Sequence, residues 1–107
     1  DPDCRRCMPW SEINSEENQE KIATMRKLIM LRRNEKICRS PHFHFPDTYE
    51  NDRCVEYIKI DEEGNKMEVL LNTSEKEIKV KEAGEVLFAR EFDGEILGVN
   101  GTLIRRI

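Results

Sequence analysis

Apolar residues recur along this chain with two different periods, and the change falls near Pro41. From Ser15 to Lys36, the stretch SEENQEKIATMRKLIMLRRNEK carries Ile22, Met25, Leu28 and Ile29 at helical spacing. A helix is predicted there. Asn14 or Ser15 can cap it, Glu16, Glu17 and Glu20 lie near its positive end, and Arg32, Arg33 and Lys36 lie near its negative end. Ala23, Met30 and Leu31 fall off that stripe, so the apolar surface is wider than one face. A helix apolar on more than one side packs against more than one layer.

Beyond Pro41 the period is two. Met67, Val69 and Leu71 alternate, as do Ile78 and Val80, and Val86, Phe88 and Phe92 with Arg90 between the last two. RCVEYIKI, KMEVLL, KEIKV, EVLFAREF, EILGV and TLIRRI are predicted as short strands, and HFHF adds a further one. DEEGN, NTSE, EAG, DG and NG separate them as turn signals, with Asp93-Gly94 and Asn100-Gly101 expected to form tight hairpin turns that need positive φ. Six or seven antiparallel strands at this spacing predict a β-sandwich or small barrel. So small a β-unit would bury only about 60% of its unfolded-chain surface. Docking the helix on a sheet adds roughly 1.5–3 kcal/mol for each fully buried Leu or Ile, so helix and strands are expected to fold as one unit. Residues 1–14, with Pro2 and Pro9, are polar and irregular.

Composition narrows the function classes. The chain has 107 residues, 37% hydrophobic and 37% charged, with a formal net charge of −4. An acidic balance argues against a general nucleic-acid binder, which needs clustered Lys and Arg. Neither a membrane-length apolar run nor a signal-peptide core is visible. Four cysteines in such a sequence read as reduced thiols in a cytoplasmic protein. High charge with modest apolar content points to marginal stability or to a missing partner surface.

Candidate chemistry is concentrated in the opening stretch, DPDCRRCMPW. Cys4 and Cys7, with Cys38, Cys54, His42 and His44, supply ligand types for zinc, but the second half has no matching pair at a familiar spacing. No metal and no cofactor are therefore expected. Thioredoxin-like redox chemistry needs a strand before the CxxC, and none precedes it. Runs such as SEKEIKVKEAGE are expected to be solvated strand faces and turns. Asp1 and Arg5, with Pro2 stiffening the turn, can form an ion pair or a fork toward hydroxyls, since carboxylate accepts and guanidinium donates.

Taken in order, DPDCRRCMPW, the helical RKLIMLRRN from Arg26 to Asn34, and the LLNTS of Leu70 to Ser74 resemble the C-terminal end of α-amylase-family glycoside hydrolases. The likeness is closest to the neopullulanase and cyclomaltodextrinase branch, where DPDCRR.M.W, KLI.LR and LLN.S occur in this order. The resemblance implies that residues 1–40 are the last βα loop and last helix of a (β/α)8 barrel, and that residues 41–107 are the C-terminal all-β domain, a β-sandwich. It implies that the motif Asp and Arg, here Asp1 and Arg5, help hold a glucose unit in the parent enzyme, on the face where barrel chemistry sits. The nucleophile and the acids of that family lie on earlier strands outside this sequence, so no catalytic residue is expected here and the piece should be inactive. The implied partners are an α-glucan oligosaccharide, through the parent, and the missing barrel, with no nucleic acid and no membrane. Dimer contacts in that branch are carried largely by an N-terminal domain outside this sequence. A different class, an independent carbohydrate-binding or protein-interaction module, would show clustered exposed aromatics. Trp10, Tyr49 and Tyr57 are instead dispersed along the chain.

Overall fold

The computed structural model describes residues 2–49, 54–81 and 84–107. The predicted helix forms over Glu16–Asn34 (α1). Ser15 is its N-cap, extended in backbone, and its hydroxyl accepts the Asn18 amide at 3.3 Å. Glu16 and Glu17 in the first turn and Arg32 and Arg33 in the last complement the helix dipole. Glu35 breaks the helix, and a 3-10 turn over Lys36–Arg39 follows, sinking Ile37 and Cys38 into the core.

Six strands follow: β1 (Phe43–His44), β2 (Val55–Ile60), β3 (Lys66–Leu71), β4 (Ile78–Lys79), β5 (Glu85–Phe92) and β6 (Ile96–Arg106). They pair antiparallel in one sheet of order β1-β2-β3-β6-β4, with β5 also paired to β6. The expected fold class holds: a mainly β chain with one helix and a short N-terminal segment. β6 organises it. β3 and β4 lie end to end along one edge of β6, through Thr102–Arg106 and through Ile96 and Leu97, while β5 runs along the other.

The strand expectations need one correction. EILGV and TLIRRI are a single strand, and Asn100-Gly101 lies inside it rather than in a hairpin turn. Asn100 has φ 59°, and Glu91 on the facing stretch of β5 has φ 53°. The Asn-Gly signal marks a backbone that must take positive φ, and a kink within a strand requires this as much as a turn does. The Asn72 backbone spans the kink, its N–H donating to Gly101 O at 2.9 Å and its carbonyl accepting from Asn100 N at 3.1 Å. The β5–β6 turn is displaced by one residue from expectation. Asp93 and Ile96 flank it (N···O 3.2 Å), Gly94 takes positive φ, and the Asp93 carboxylate accepts the Glu95 and Ile96 amides at 2.8 and 2.7 Å.

β3 is buried on both faces, and its alternation separates two cores. On one face Met67 and Val69 pack with Ile37 and Cys38, flanked by Leu31, Tyr57, Leu71, Leu87 and Ile104. On the other, Leu70, Leu97 and Leu103 pack together, flanked by Tyr49, Cys54, Val80 and Phe92. Each fully buried Leu contributes roughly 1.5–3 kcal/mol.

α1 joins the first core through Leu31, and it is tied to the sheet by Arg106, which bridges Glu35 and Glu85 (3.0 Å to Glu85). None of its residues is fully buried. Thr24, Leu28 and Leu31 form a half-buried stripe at helical spacing. Met25 and Ile29 form a second stripe roughly a third of a turn round the helix, and with Met30 they stand 57%, 49% and 48% exposed. The two-sided apolar surface expected of the helix is present, and the sheet meets only one side.

Candidate functional site

The opening stretch forms two short 3-10 turns, Pro2–Arg5 and Trp10–Glu12. The second is fastened to the start of α1, because Asn18 Nδ2 donates to Glu12 O at 2.8 Å and Gln19 Nε2 to Ile13 O at 2.7 Å. Polar side chains in the first helical turn thus reach back and fix the direction in which the loop arrives. Arg5 is exposed, as are Met8 and Trp10. Asp1 lies outside the described residues.

The candidate metal ligands are scattered. Cys4 and Cys7 are exposed in the opening stretch and outside any disulfide, and His42 and His44 are exposed at the β1 edge. Cys38 is buried in the first core, its Sγ 3.5 Å from Met67 Sδ, and Cys54 borders the second core. Burial, reinforced by the Glu35 carboxylate, pushes the Cys38 thiol pKa upward. Among the described residues no group of three or more His, Cys, Asp or Glu side chains converges on a point. No helix among them is long and apolar enough to cross a membrane.

Sequence reasoning missed a buried polar cluster on the second face. Arg105, 3% exposed, donates from Nε to Glu68 Oε1 at 2.6 Å and from Nη2 to the Lys81 carbonyl at 2.7 Å. Glu56 lies beside them, buried, with the Glu68 carboxyl and Thr48 as its polar neighbours. Its pKa is pushed up to about 7, first by burial and then by the neighbouring Glu68 carboxylate. The adjoining cavity, lined by Phe45, Pro46, Tyr49, Cys54, Val55 and Glu56, measures about 160 Å³. That is below the roughly 300–1,000 Å³ of a ligand pocket. An Arg105–Glu68 pair with a second carboxyl beside it inside a sheet is a structural feature, not a pair of acids facing a substrate across a cleft. Alternation along β2, β3 and β6 could have paired Glu56, Glu68 and Arg105, but burial of their face was not legible.

The LLNTS stretch is a second hub. The Asn72 amide, 2% exposed, donates to the carbonyls of Lys76, Leu97 and Gly98 at 2.9, 3.1 and 2.9 Å. Its Oδ1 accepts from the Ser74 amide and hydroxyl at 3.0 and 2.8 Å. These bonds lock the β3–β4 loop against β6 where the strand bends.

The third grouping is aromatic. Phe43, Phe45 and Tyr57 form a mutual edge-on triad with ring centroids 5.7–6.4 Å apart. Tyr57 is dispersed in sequence from Trp10 and Tyr49, but register brings it to two phenylalanines. The alternation in HFHF was the available signal.

No family model matches the chain. A maltogenic alpha-amylase from Bacillus acidopullulyticus is 35% identical over 81 residues, covering 74% of this chain. A crystal structure of a protein from Salmonella typhimurium, described as a candidate alpha amylase, superposes with a TM-score of 0.69 over 91% of the chain at 20% identity. This chain is a C-terminal part of an α-amylase-family protein. It spans 13% of the length of the maltogenic alpha-amylase and 17% of the Salmonella chain. In the α-amylase-family segment, RKLIMLRRN thus forms the end of α1, and LLNTS forms the end of β3 with its Asn72 hub.

Proposed function

We propose that this chain is the non-catalytic C-terminal portion of an α-glucan hydrolase of the cyclomaltodextrinase or neopullulanase type. Residues 1–40 end its catalytic barrel, and residues 41–107 form a β-domain that stabilises the barrel by covering its last helix. We read the bend at Asn100 and Gly101 as the corner where the sheet turns into the two layers of a sandwich. In the parent, Asp1 and Arg5 hold a glucose unit of the substrate. The parent is a cytoplasmic protein.

One observation carries this reading: α1 presents apolar side chains to two sides, and its own sheet covers one. Met25, Ile29 and Met30 stand about half exposed on a helix that is otherwise capped, charged at its ends and fixed to the sheet. A lone domain has no use for this second stripe, whereas the last helix of a barrel does. The similarity to a maltogenic alpha-amylase, of which this chain spans 13%, supports the same assignment.

The test is enzymatic. The purified chain is incubated with cyclodextrin, pullulan and maltooligosaccharide beside a mock preparation, and no glycosidic cleavage is expected. Turnover above the mock level would reject the proposal.

A further inference from the structure

Register places the aromatic triad on the same side of the sheet as α1. Phe43 is opposite Lys59 and Lys59 opposite Met67, while Tyr57 is opposite Val69 and Val69 opposite Ile104. Directly paired residues share a face, and this face carries Ile37, Cys38 and the helix contact through Leu31. The 3-10 turn over Lys36–Arg39 covers its centre. At the β1–β2 edge nothing in the described chain covers Phe43, Phe45 and Val55, which stand 55%, 69% and 41% exposed.

Three adjacent exposed apolar residues on a short edge, continuous with a core through Tyr57, are a contact surface rather than scattered exposure. Their geometry argues against a sugar platform. The rings meet at interplanar angles of 88°, 70° and 69°, so each edge abuts a neighbour's face. Successive glucose units stack on ring faces lying side by side, and these rings are arranged as in a packed interior. What covers them must be a body large enough to reach both the outer stripe of α1 and the β1–β2 edge. Most of the parent polypeptide is such a body, since this chain is 13% of its relative's length.

We propose that Phe43, Phe45 and Tyr57, with Val55, form a second footing for the rest of the α-amylase-family polypeptide, separate from α1. This rests on the proposed function, which supplies the docking body. The interface then has two apolar patches, the outer stripe of α1 and the aromatic edge of β1 and β2.

The experiment uses the full-length polypeptide and the isolated chain, each with Phe43→Ser and Phe45→Ser together, and separately with Met25→Glu and Ile29→Glu together. The readout is the rate of limited proteolysis at the junction between this segment and the rest, with thermal melting of the isolated chain and maltooligosaccharide binding by the full-length polypeptide as controls. The aromatic pair is expected to speed cleavage of the full-length protein about tenfold and to leave the isolated chain's melting temperature unchanged. If only the helix pair speeds cleavage, the second footing is wrong and the proposed function stands. If neither does, both fall. An equal melting loss in the isolated chain would make the rings part of its own fold. Loss of maltooligosaccharide binding without faster cleavage would make them a sugar site. Either result overturns the inference.

Discussion

The Asn72 side-chain amide donates to the Gly98 carbonyl at 2.9 Å, joining the end of β3 to the stretch of β6 just before its kink. The same amide serves the carbonyls of Leu97 and Lys76, so one buried side chain ties the β3–β4 loop to β6 beside the kink. Asn72→Ala strands those carbonyls and is expected to cost about 2–4 kcal/mol. Ser74→Ala removes only a neighbour of Oδ1 and is expected to cost about 1 kcal/mol. Urea denaturation of both variants checks the order. Equal losses would mean that the amide is not the hub.

Gly101 and Gly94 separate two roles of glycine. A Cβ on Gly101 would lie 2.7 Å from both Gly98 O and Leu97 Cδ1, whereas one on Gly94, at φ +106°, would meet nothing within 4 Å. Gly101→Ala is expected to destabilise by about 1–3 kcal/mol through overpacking. Gly94→Ala is expected to destabilise by about 1 kcal/mol through backbone strain alone. Thermal melts decide this, and a larger loss at Gly94 would contradict it.

The raised pKa of Glu56 gives the fold a pH dependence with a definite sign. The unfolded carboxyl releases its proton near the ordinary value of 4.5, while the folded one holds it until about 7. Between these values the folded state binds more protons, so stability falls as pH rises through the window and levels off above it. The stability lost across the window is set by protonation of this carboxyl beside Glu68. Glu56→Gln is expected to flatten the slope between pH 5 and 7 and to leave the protein more stable than its parent at pH 8. Denaturant midpoints at those pH values check it, and an unchanged slope would place the proton elsewhere.

Thiol reactivity follows burial. Cys4 and Cys7 are exposed, whereas Cys38 is buried with its pKa raised by desolvation. Cys4 and Cys7 are expected to react with a disulfide reagent in the native state, and Cys38 only on unfolding. Mass mapping of the labelled sites after a short exposure tests this. Early labelling of Cys38 would contradict the core described for its face.

The parts legible in the sequence were those set by periodicity. KMEVLL and EVLFAREF are β3 and β5 residue for residue, and Ser15 caps the helix it was expected to cap. The described members of SEKEIKVKEAGE behave as a largely solvated run, with Lys79 and Glu95 pairing at 3.1 Å while both stay exposed. What failed depended on contacts between distant strands. Asn100-Gly101 carries the same local signal in a kink as in a turn, and the decision is made by Asn72, far earlier in the chain. Burial of Glu56, Glu68 and Arg105 follows from the second face being covered, which alternation alone does not reveal. The 3-10 turn of Lys36–Arg39 was invisible because Ile37 and Cys38 are adjacent and follow neither period. The glucose-holding role of Asp1 and Arg5 rests on resemblance and belongs to the proposed function, Asp1 lying outside the described residues.

The central claim is that the outer side of α1 is covered by the rest of the parent polypeptide, and methionine oxidation reads it directly. Met25 and Met30 stand 57% and 48% exposed on that helix, so brief peroxide treatment of the isolated chain should oxidise both at the rate of free methionine. In the full-length polypeptide, Met25 is expected to be protected about tenfold or more. Equal oxidation of Met25 in the two settings would contradict the account.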